Sequence, residues 1–189
     1  MVEDQDLATK HAQYYEKTPD LLQGTLLRGL EVLEESPDST PTHVEAVLEK
    51  VDVIVLTQSC DIQKASQARL LVAEVETYAD MLARREGTDF TKKPYRKTLI
   101  RNLSTSDMLL PPCAGLSITD YLIVNFRELH VIDKQRVPAA PADGYVGLAS
   151  PFREQLSQMY AMFIMRVGLP TPPLHEFETY EVPPTQQQP

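Results

Sequence analysis

The run Val51-Asp52-Val53-Ile54-Val55-Leu56 is the most apolar, β-branched stretch of the chain. Such a run is typical of a central, fully buried strand, and it stops at Thr57-Gln58-Ser59-Cys60-Asp61. A second strand candidate follows at residues 68–75 (ARLLVAEV). The short connection between them suits an antiparallel return, because a parallel crossover needs a helix between its strands. These two strands predict an antiparallel sheet at the centre of the fold.

Further elements lie on either side of this pair. Strand-like sequence begins at residues 23–30 and resumes at 120–133, and a short helix is predicted within residues 76–86. Residues 34–42 and 134–147 are rich in Pro with Ser, Asp, Ala or Gly, which predicts loops. The fold class that follows is α+β, mainly β.

The last predicted element is a helix over about 151–167. Ser150 is a suitable N-cap with Pro151 at the first helical position, and Gly168 with Pro170 forms a strong stop. Apolar residues recur at helical spacing and predict one core-facing stripe: Phe152, Leu156, Met159, Tyr160, Phe163 and Val167. Three more apolar residues make the helix apolar almost all round and indicate a homodimer contact or a protein partner: Met162, Ile164 and Met165.

The chain of 189 residues has 42% hydrophobic and 24% charged residues, which suits one soluble globular domain. We assign residues 1–20 to an N-terminal extension and 21–169 to a single domain. Residues 170–189 hold six prolines and end in QQQP, a composition typical of a disordered tail. No apolar run approaches the roughly 18–20 residues of a membrane span, and the acidic N-terminus lacks a signal sequence. We therefore expect a cytoplasmic protein with no membrane partner.

The net charge of −9 argues against a protein that coats nucleic acid with its whole surface. Residues 84–101 differ, with seven basic residues against two acidic ones, and form a basic insertion. Aromatic residues among these charges suit single-stranded RNA, because cations follow phosphates while rings stack on bases. The predicted nucleic-acid contacts are Lys92, Lys93, Tyr95, Arg96 and Lys97. The alternative is a solvated surface loop that pairs with the acidic first third of the chain.

The two cysteines, Cys60 and Cys113, are too few for a disulfide framework, and neither has a partner at zinc-ligand spacing. We predict no metal and no cofactor. At the end of the strongest strand, Cys60 is a candidate nucleophile and Asp61 a candidate general base or ligand acceptor. The favoured alternative is a small buried cysteine that closes the strand, with Asp61 capping a turn.

Five segments together carry a resemblance to a known family. Gln23-Gly24-Thr25-Leu26 matches a "G-D-I-V" opening strand, residues 51–57 match "P-A-L-V-V-S", and residues 71–77 match "V-V-P-I-T". Residues 119–133 match a late "D-S-V-V-L-…-Q-V-R-T-L-D", and Gly147-Leu148-Ala149-Ser150 matches "G-x-L-S" before the final helix. In this order they resemble the MazF/PemK (CcdB-like) toxin family. The resemblance implies a small SH3-like or PemK-like barrel with a C-terminal packing helix.

The resemblance also carries functional expectations. In ribonuclease members an Arg beside the second strand and a Thr after the third cleave RNA; Thr77 matches the Thr, whereas Asp52 stands near the Arg position. We therefore expect a non-catalytic or weakly catalytic module that binds or regulates within a bacterial toxin or defence-type system. The alternative is an endoribonuclease that cleaves single-stranded RNA through Thr77, with Arg28 or Arg69 assisting. A second alternative is a Cys60-dependent enzyme.

Overall fold

The computed structural model describes residues 11–40, 42–85, 88–104 and 106–165. The strands are β1 (Tyr15–Thr18), β2 (Leu26–Glu35), β3 (Ala46–Val55), β4 (Arg69–Thr77), β5 (Asp107–Leu110), β6 (Leu122–Asp133) and β7 (Tyr145–Leu148). The α-helices are α1 (Ser59–Ile62), α2 (Tyr78–Arg84), α3 (Lys93–Ile100) and α4 (Phe152–Ile164). Short 3-10 turns lie at Ala12–Tyr14, Thr88–Thr91, Ala114–Leu116 and Lys134–Arg136. The predicted α+β, mainly β class is confirmed.

The strands form two antiparallel sheets. Five strands lie in the order β2-β3-β4-β6-β5, and β1 pairs with β7. The sheets meet where Thr25 bridges Gly147 and the Leu148 amide donates to the Gly24 carbonyl at 3.0 Å. At the opposite margin the Tyr15 hydroxyl donates to the Pro111 carbonyl at 2.6 Å. Within the described residues, the strands therefore curve around a core without closing a hydrogen-bonded barrel.

The β3–β4 pair confirms the antiparallel return predicted from the sequence. The run that suggested a buried strand is only the last part of β3, which begins at Ala46. Residues 46–50 are exposed in the β2–β3 hairpin, so no burial pattern marks them in the sequence.

Alternate residues of the central strands fill two apolar clusters, as the two-residue period of a strand requires. Ile54 faces one cluster together with Phe126 and the helix residues Leu156 and Met159. The neighbouring Val53 and Val55 face the other cluster, which Leu30 and Val32 of β2 complete.

Helix α4 confirms the predicted C-terminal helix and its stripe. Leu156 and Met159 are buried, and Phe152, Tyr160 and Phe163 pack against the same core. Val167 and the predicted tail, residues 170–189, lie outside the described residues. The predicted cap is displaced by one position, because Pro151 occupies the N-cap and makes no side-chain capping bond.

Three short strands were not predicted from the sequence. Strand β1 falls in the segment assigned to an extension, yet Tyr15 is buried in the core. Strand β7 begins within the predicted loop 134–147 and ends one residue beyond it, and β5 was not predicted. Each has four residues, so partner strands rather than local pattern determine it. Among the described helices, none has both the length and the apolar character needed to cross a membrane.

Candidate functional site

A surface groove lies beside helix α3, at the margin of the five-stranded sheet. One part, about 360 Å³, is lined by Tyr78, Arg96, Leu99, Ile100, Leu109 and Tyr121. A second part of about 280 Å³ shares four of these residues and adds Tyr14, Pro111 and Phe152, among others. We call the two parts together the α3 groove. It follows the edge strand β5 towards the start of α4.

Helix α3 presents cations outward because of its spacing. Pro94 lies in the first turn, where a missing amide costs nothing. Tyr95 and Leu99, four residues apart, turn towards the protein, and Leu99 is buried. The opposite side is exposed and carries Lys93, Arg96, Lys97 and, just beyond the helix, Arg101. The basic segment, predicted in one alternative to be a surface loop, is therefore partly helical.

A buried ion pair holds the segment that carries α3. The Arg85 guanidinium donates to an Asp107 carboxylate oxygen at 2.7 Å, and the two side chains are 11% and 4% exposed. The hydroxyls of Ser104 and Ser106 donate to the other oxygen at 3.2 and 2.9 Å. The Tyr95 hydroxyl lies 3.5 Å from that same oxygen. Asp107 of β5 therefore connects the chain on both sides of α3.

Burial and pairing act in opposite directions on these groups. Burial by itself raises the pKa of Asp107, but the hydrogen bond and charge of Arg85 outweigh it and hold that pKa below its usual value. Burial likewise disfavours the charged Arg85, yet Asp107 raises the Arg85 pKa. Burial and the Asp107 charge raise the pKa of Tyr95 to about 12. At neutral pH this site therefore holds a paired charge and a neutral phenol.

The predicted nucleic-acid residues divide into two groups. Lys93, Arg96 and Lys97 lie on the exposed face of α3, which together with Arg101 we call the rim. Of these cations Arg96 lines the groove, and its guanidinium sits 5.9 Å from the Tyr78 ring centroid. Lys92 pairs with Asp89 at 2.6 Å. Tyr95 is half-buried and packs edge-on against Phe90, so its ring supports α3 and does not form the groove surface.

The aromatic residues of the groove were missed by the sequence analysis. Tyr121, 43% exposed, precedes β6, and Tyr78 opens α2. Their backbones are joined, because the Tyr78 amide donates to the Tyr121 carbonyl at 2.8 Å. No local motif connects two tyrosines so far apart in the chain; only the pairing of β4 with β6 brings them together.

Thr77 lies next to the groove but has a structural role. It is the N-cap of α2, where its hydroxyl accepts from the Asp80 amide at 3.0 Å and donates to the Asp80 carboxylate at 2.6 Å. These are the bonds of an ordinary helix cap. They also place a carboxylate in contact with the one hydroxyl that the family resemblance selects.

Cys60 and Asp61 lie far from Thr77. They belong to α1, which follows β3, and so lie near the Arg69 end of β4, whereas Thr77 is at its other end. Eight steps along the strand separate those ends by about 26 Å. Cys60 is exposed, which corrects the prediction of a buried cysteine closing the strand. Its sulfur has Gln58 as neighbour at 3.8 Å, and Asp61 pairs with Lys64 at 2.5 Å.

The two arginines considered for RNA cleavage are also placed. Arg28 pairs with Asp52, whose other oxygen accepts from the Gly29 amide at 2.8 Å. This pair lies at the irregularity of β2 where its register with β3 shifts, and where Gly29 has φ +57°. Arg69 begins β4 and is exposed at the end remote from Thr77.

One cluster of metal-binding residue types exists among the described residues. Glu34, Glu74 and His130 bring their ligand atoms within 4.8 Å of one another. Nδ1 of His130 lies 3.2 Å from Glu34 and Nε2 lies 2.9 Å from Glu74. A metal ion would need both carboxylates beside one ring nitrogen, whereas here they face opposite nitrogens. The arrangement fits an imidazole on β6 that joins a carboxylate of β2 to one of β4.

The fold is a mainly antiparallel α+β arrangement, with a groove lined by Tyr78 and Tyr121 beside the cationic face of α3. No protein-family model matches the chain, and no curated protein matches it either. The chemistry of the groove is therefore the basis for a functional proposal.

Proposed function

We propose that this chain is a non-catalytic binding module that holds single-stranded RNA in the α3 groove. In this proposal it acts as a MazF/PemK-like regulatory component of a bacterial toxin or defence-type system. The observation that carries the proposal is the exposed cationic face of α3 beside a groove that presents Tyr121. Proteins that bind single strands combine these two features, a basic track for phosphates and rings for bases.

The cations of the rim are available to a ligand. Lys93, Lys97 and Arg101 are exposed and make no ion pair with any residue that the structure describes. Each can neutralise one phosphate of a bound strand. Three such contacts correspond to a slope of about −2 in a plot of log affinity against log salt, at about 0.7 per phosphate. RNA binding should therefore weaken measurably as salt rises.

The groove floor supplies the stacking surface. Tyr121 is the exposed ring, and its neighbour Tyr78 is covered on one side by Arg96. Stacking of one base on such a ring contributes about 1–3 kcal/mol. An unpaired base reaches such a ring, whereas a base inside a duplex does not, so the proposed ligand is single-stranded.

The test is fluorescence anisotropy with labelled single-stranded RNA of mixed sequence and with the same RNA as a duplex, over a salt series. We expect the wild type to bind the single strand with the salt dependence given above. Lys93→Gln/Lys97→Gln should lower both the affinity and the salt slope. Tyr121→Ala should lower affinity about 5-fold or more, whereas Tyr121→Phe should keep it, because the ring remains.

The matched control is Lys50→Gln/Arg69→Gln, which removes two exposed cations away from α3. It has the same change in net charge as the rim variant and should bind as the wild type does. Equal losses in both double variants would mean that only the overall charge matters. That result, or no binding of RNA at low salt, rejects the proposal.

The endoribonuclease alternative is favoured by one contact, the 2.6 Å hydrogen bond from Thr77 to Asp80 beside the groove. In that mechanism the Asp80 carboxylate would accept the proton of the Thr77 hydroxyl while that hydroxyl takes part in RNA cleavage. Incubation of labelled RNA with the wild type and with Thr77→Ser and Thr77→Ala separates the two functions. Binding without cleavage by the wild type supports the module. Cleavage that Thr77→Ala abolishes supports the nuclease.

A further inference from the structure

We propose that residues 174–182 of this same chain, Leu-His-Glu-Phe-Glu-Thr-Tyr-Glu-Val, dock in the α3 groove. This segment follows α4 and lies outside the described residues. The occupant is therefore the chain's own C-terminal segment, and the docking is intramolecular.

Charge complementarity is the first argument. Residues 174–182 carry three glutamates, Glu176, Glu178 and Glu181, and no Lys or Arg. The rim carries Lys93, Lys97 and Arg101, which are exposed and form no ion pair with any residue that the structure describes. Within a protein of net charge −9 this rim is the concentrated positive surface that an acidic segment would meet.

Apolar complementarity is the second argument. Ile100, a lining residue of the groove, is 69% exposed, and Leu103, which follows α3 in the chain, is 64% exposed. Such surface commonly marks a binding site. The segment supplies two aromatic residues, Phe177 and Tyr180, between its glutamates. An acidic peptide with aromatic anchors therefore matches both the rim and the floor of the groove.

The length of chain allows the contact. Helix α4 starts beside the groove, where Phe152 is a lining residue, and its 13 residues place its end at most about 20 Å from that start. Nine steps from Met165 to Leu174 reach back at most about 30 Å. That length of chain exceeds the distance from the end of α4 back to its start.

An edge strand of the sheet lies beside the groove. Strand β5 is at the end of the five-stranded order, and its Leu109 lines the groove. An extended peptide commonly binds along an edge strand, where main-chain hydrogen bonds add affinity. The docking does not depend on RNA binding. Where both occur, the segment competes with RNA for the same cations.

The experiment measures a distance within the full-length chain. Spin labels are placed at Leu103→Cys and Thr179→Cys in a Cys60→Ser background, since Cys113 is buried and Cys60 is exposed. We expect one narrow, short distance peak by double electron–electron resonance. Glu176→Gln/Glu178→Gln/Glu181→Gln should broaden it, and so should Lys93→Glu/Lys97→Glu. The Lys50→Gln/Arg69→Gln variant should leave it narrow.

The outcomes separate the two proposals. A broad distance distribution that none of the charge variants alters overturns the docking. A narrow peak that disappears when labelled protein is diluted with unlabelled protein shows docking between two copies, which also overturns it. A narrow peak in a chain that binds no RNA keeps the docking and rejects the RNA proposal. If both hold, the triple Glu→Gln variant should bind RNA several-fold more tightly than the wild type.

Discussion

Asp107→Asn should loosen the segment that carries α3, because it removes the negative charge that Arg85 needs. The variant keeps the size of the side chain and leaves a guanidinium that is 11% exposed without its carboxylate. Removal of one partner from a buried pair costs about 3–5 kcal/mol. We expect the lower end, about 3 kcal/mol, because Arg85 keeps its position 5.5 Å from the Phe90 ring centroid.

The location of the pair determines where this cost appears. Ser104, Ser106 and Tyr95 all converge on Asp107, so both ends of the α3 segment depend on it. A loss of about 3 kcal/mol raises the population of an opened segment by about 100-fold. Because whole domains are stable by only about 5–15 kcal/mol, the unfolding midpoint in urea should fall as well.

The assay combines amide hydrogen exchange, read on peptides covering residues 93–101, with urea unfolding followed by circular dichroism. Asp89→Asn is the control, since its partner Lys92 and the carboxylate are both at the surface. We expect faster exchange in α3 and a lower midpoint for Asp107→Asn alone. If Asp107→Asn exchanges like the wild type in α3 and keeps its midpoint, the pair does not anchor the segment.

Three further predictions follow from single contacts. Because the Asp107 pKa is lowered in the folded state, the contribution of this carboxylate to folding stability is complete at neutral pH and is lost as pH falls through that lowered pKa. Urea unfolding midpoints measured over an acid series should therefore show a step that Asp107→Asn lacks. Thr77→Ala should cost about 1 kcal/mol of unfolding free energy by removing the α2 cap, and Thr77→Ser should restore it. Gly144→Ala should lower the melting temperature, because the φ of Gly144 is +89° and an added Cβ would lie 2.8 Å from the Thr18 carbonyl oxygen. The control is Gly115→Ala, because no atom lies within 4 Å of a Cβ added at Gly115.

Local pattern was sufficient for the elements that carry a continuous core. The apolar run ending at Leu56 and the stripe of α4 each signal burial over many residues, so the sequence predicted both. Helix α3 could not be found in this way, since only Tyr95 and Leu99 turn inward among its many cations. The four-residue strands β5 and β7 exist through their pairing, and no local signal marks them.

The candidate site was predictable only in part. The charges of residues 84–101 were visible, and Lys93, Arg96 and Lys97 do lie together on a surface. The groove itself needs Tyr78, Leu109 and Tyr121 from separate elements, so its floor depends on tertiary structure. Thr77, Cys60 and Asp61 were chosen by residue type and resemblance, and the sheet places Thr77 at the opposite end from the other two.

The basic insertion also shows how a chain of net charge −9 can present a positive surface. By sequence alone, the cations of residues 84–101 could pair with the acidic first third of the chain. Three of them do form ion pairs, but with Glu76, Asp107 and Asp89, all outside that third. The paired cations are Arg84, Arg85 and Lys92, which hold α2 and the approach to α3 in place. Pairing of those three leaves the outward cations of α3 without described ion pairs, which is why both proposed ligands, RNA and residues 174–182, are assigned to that face.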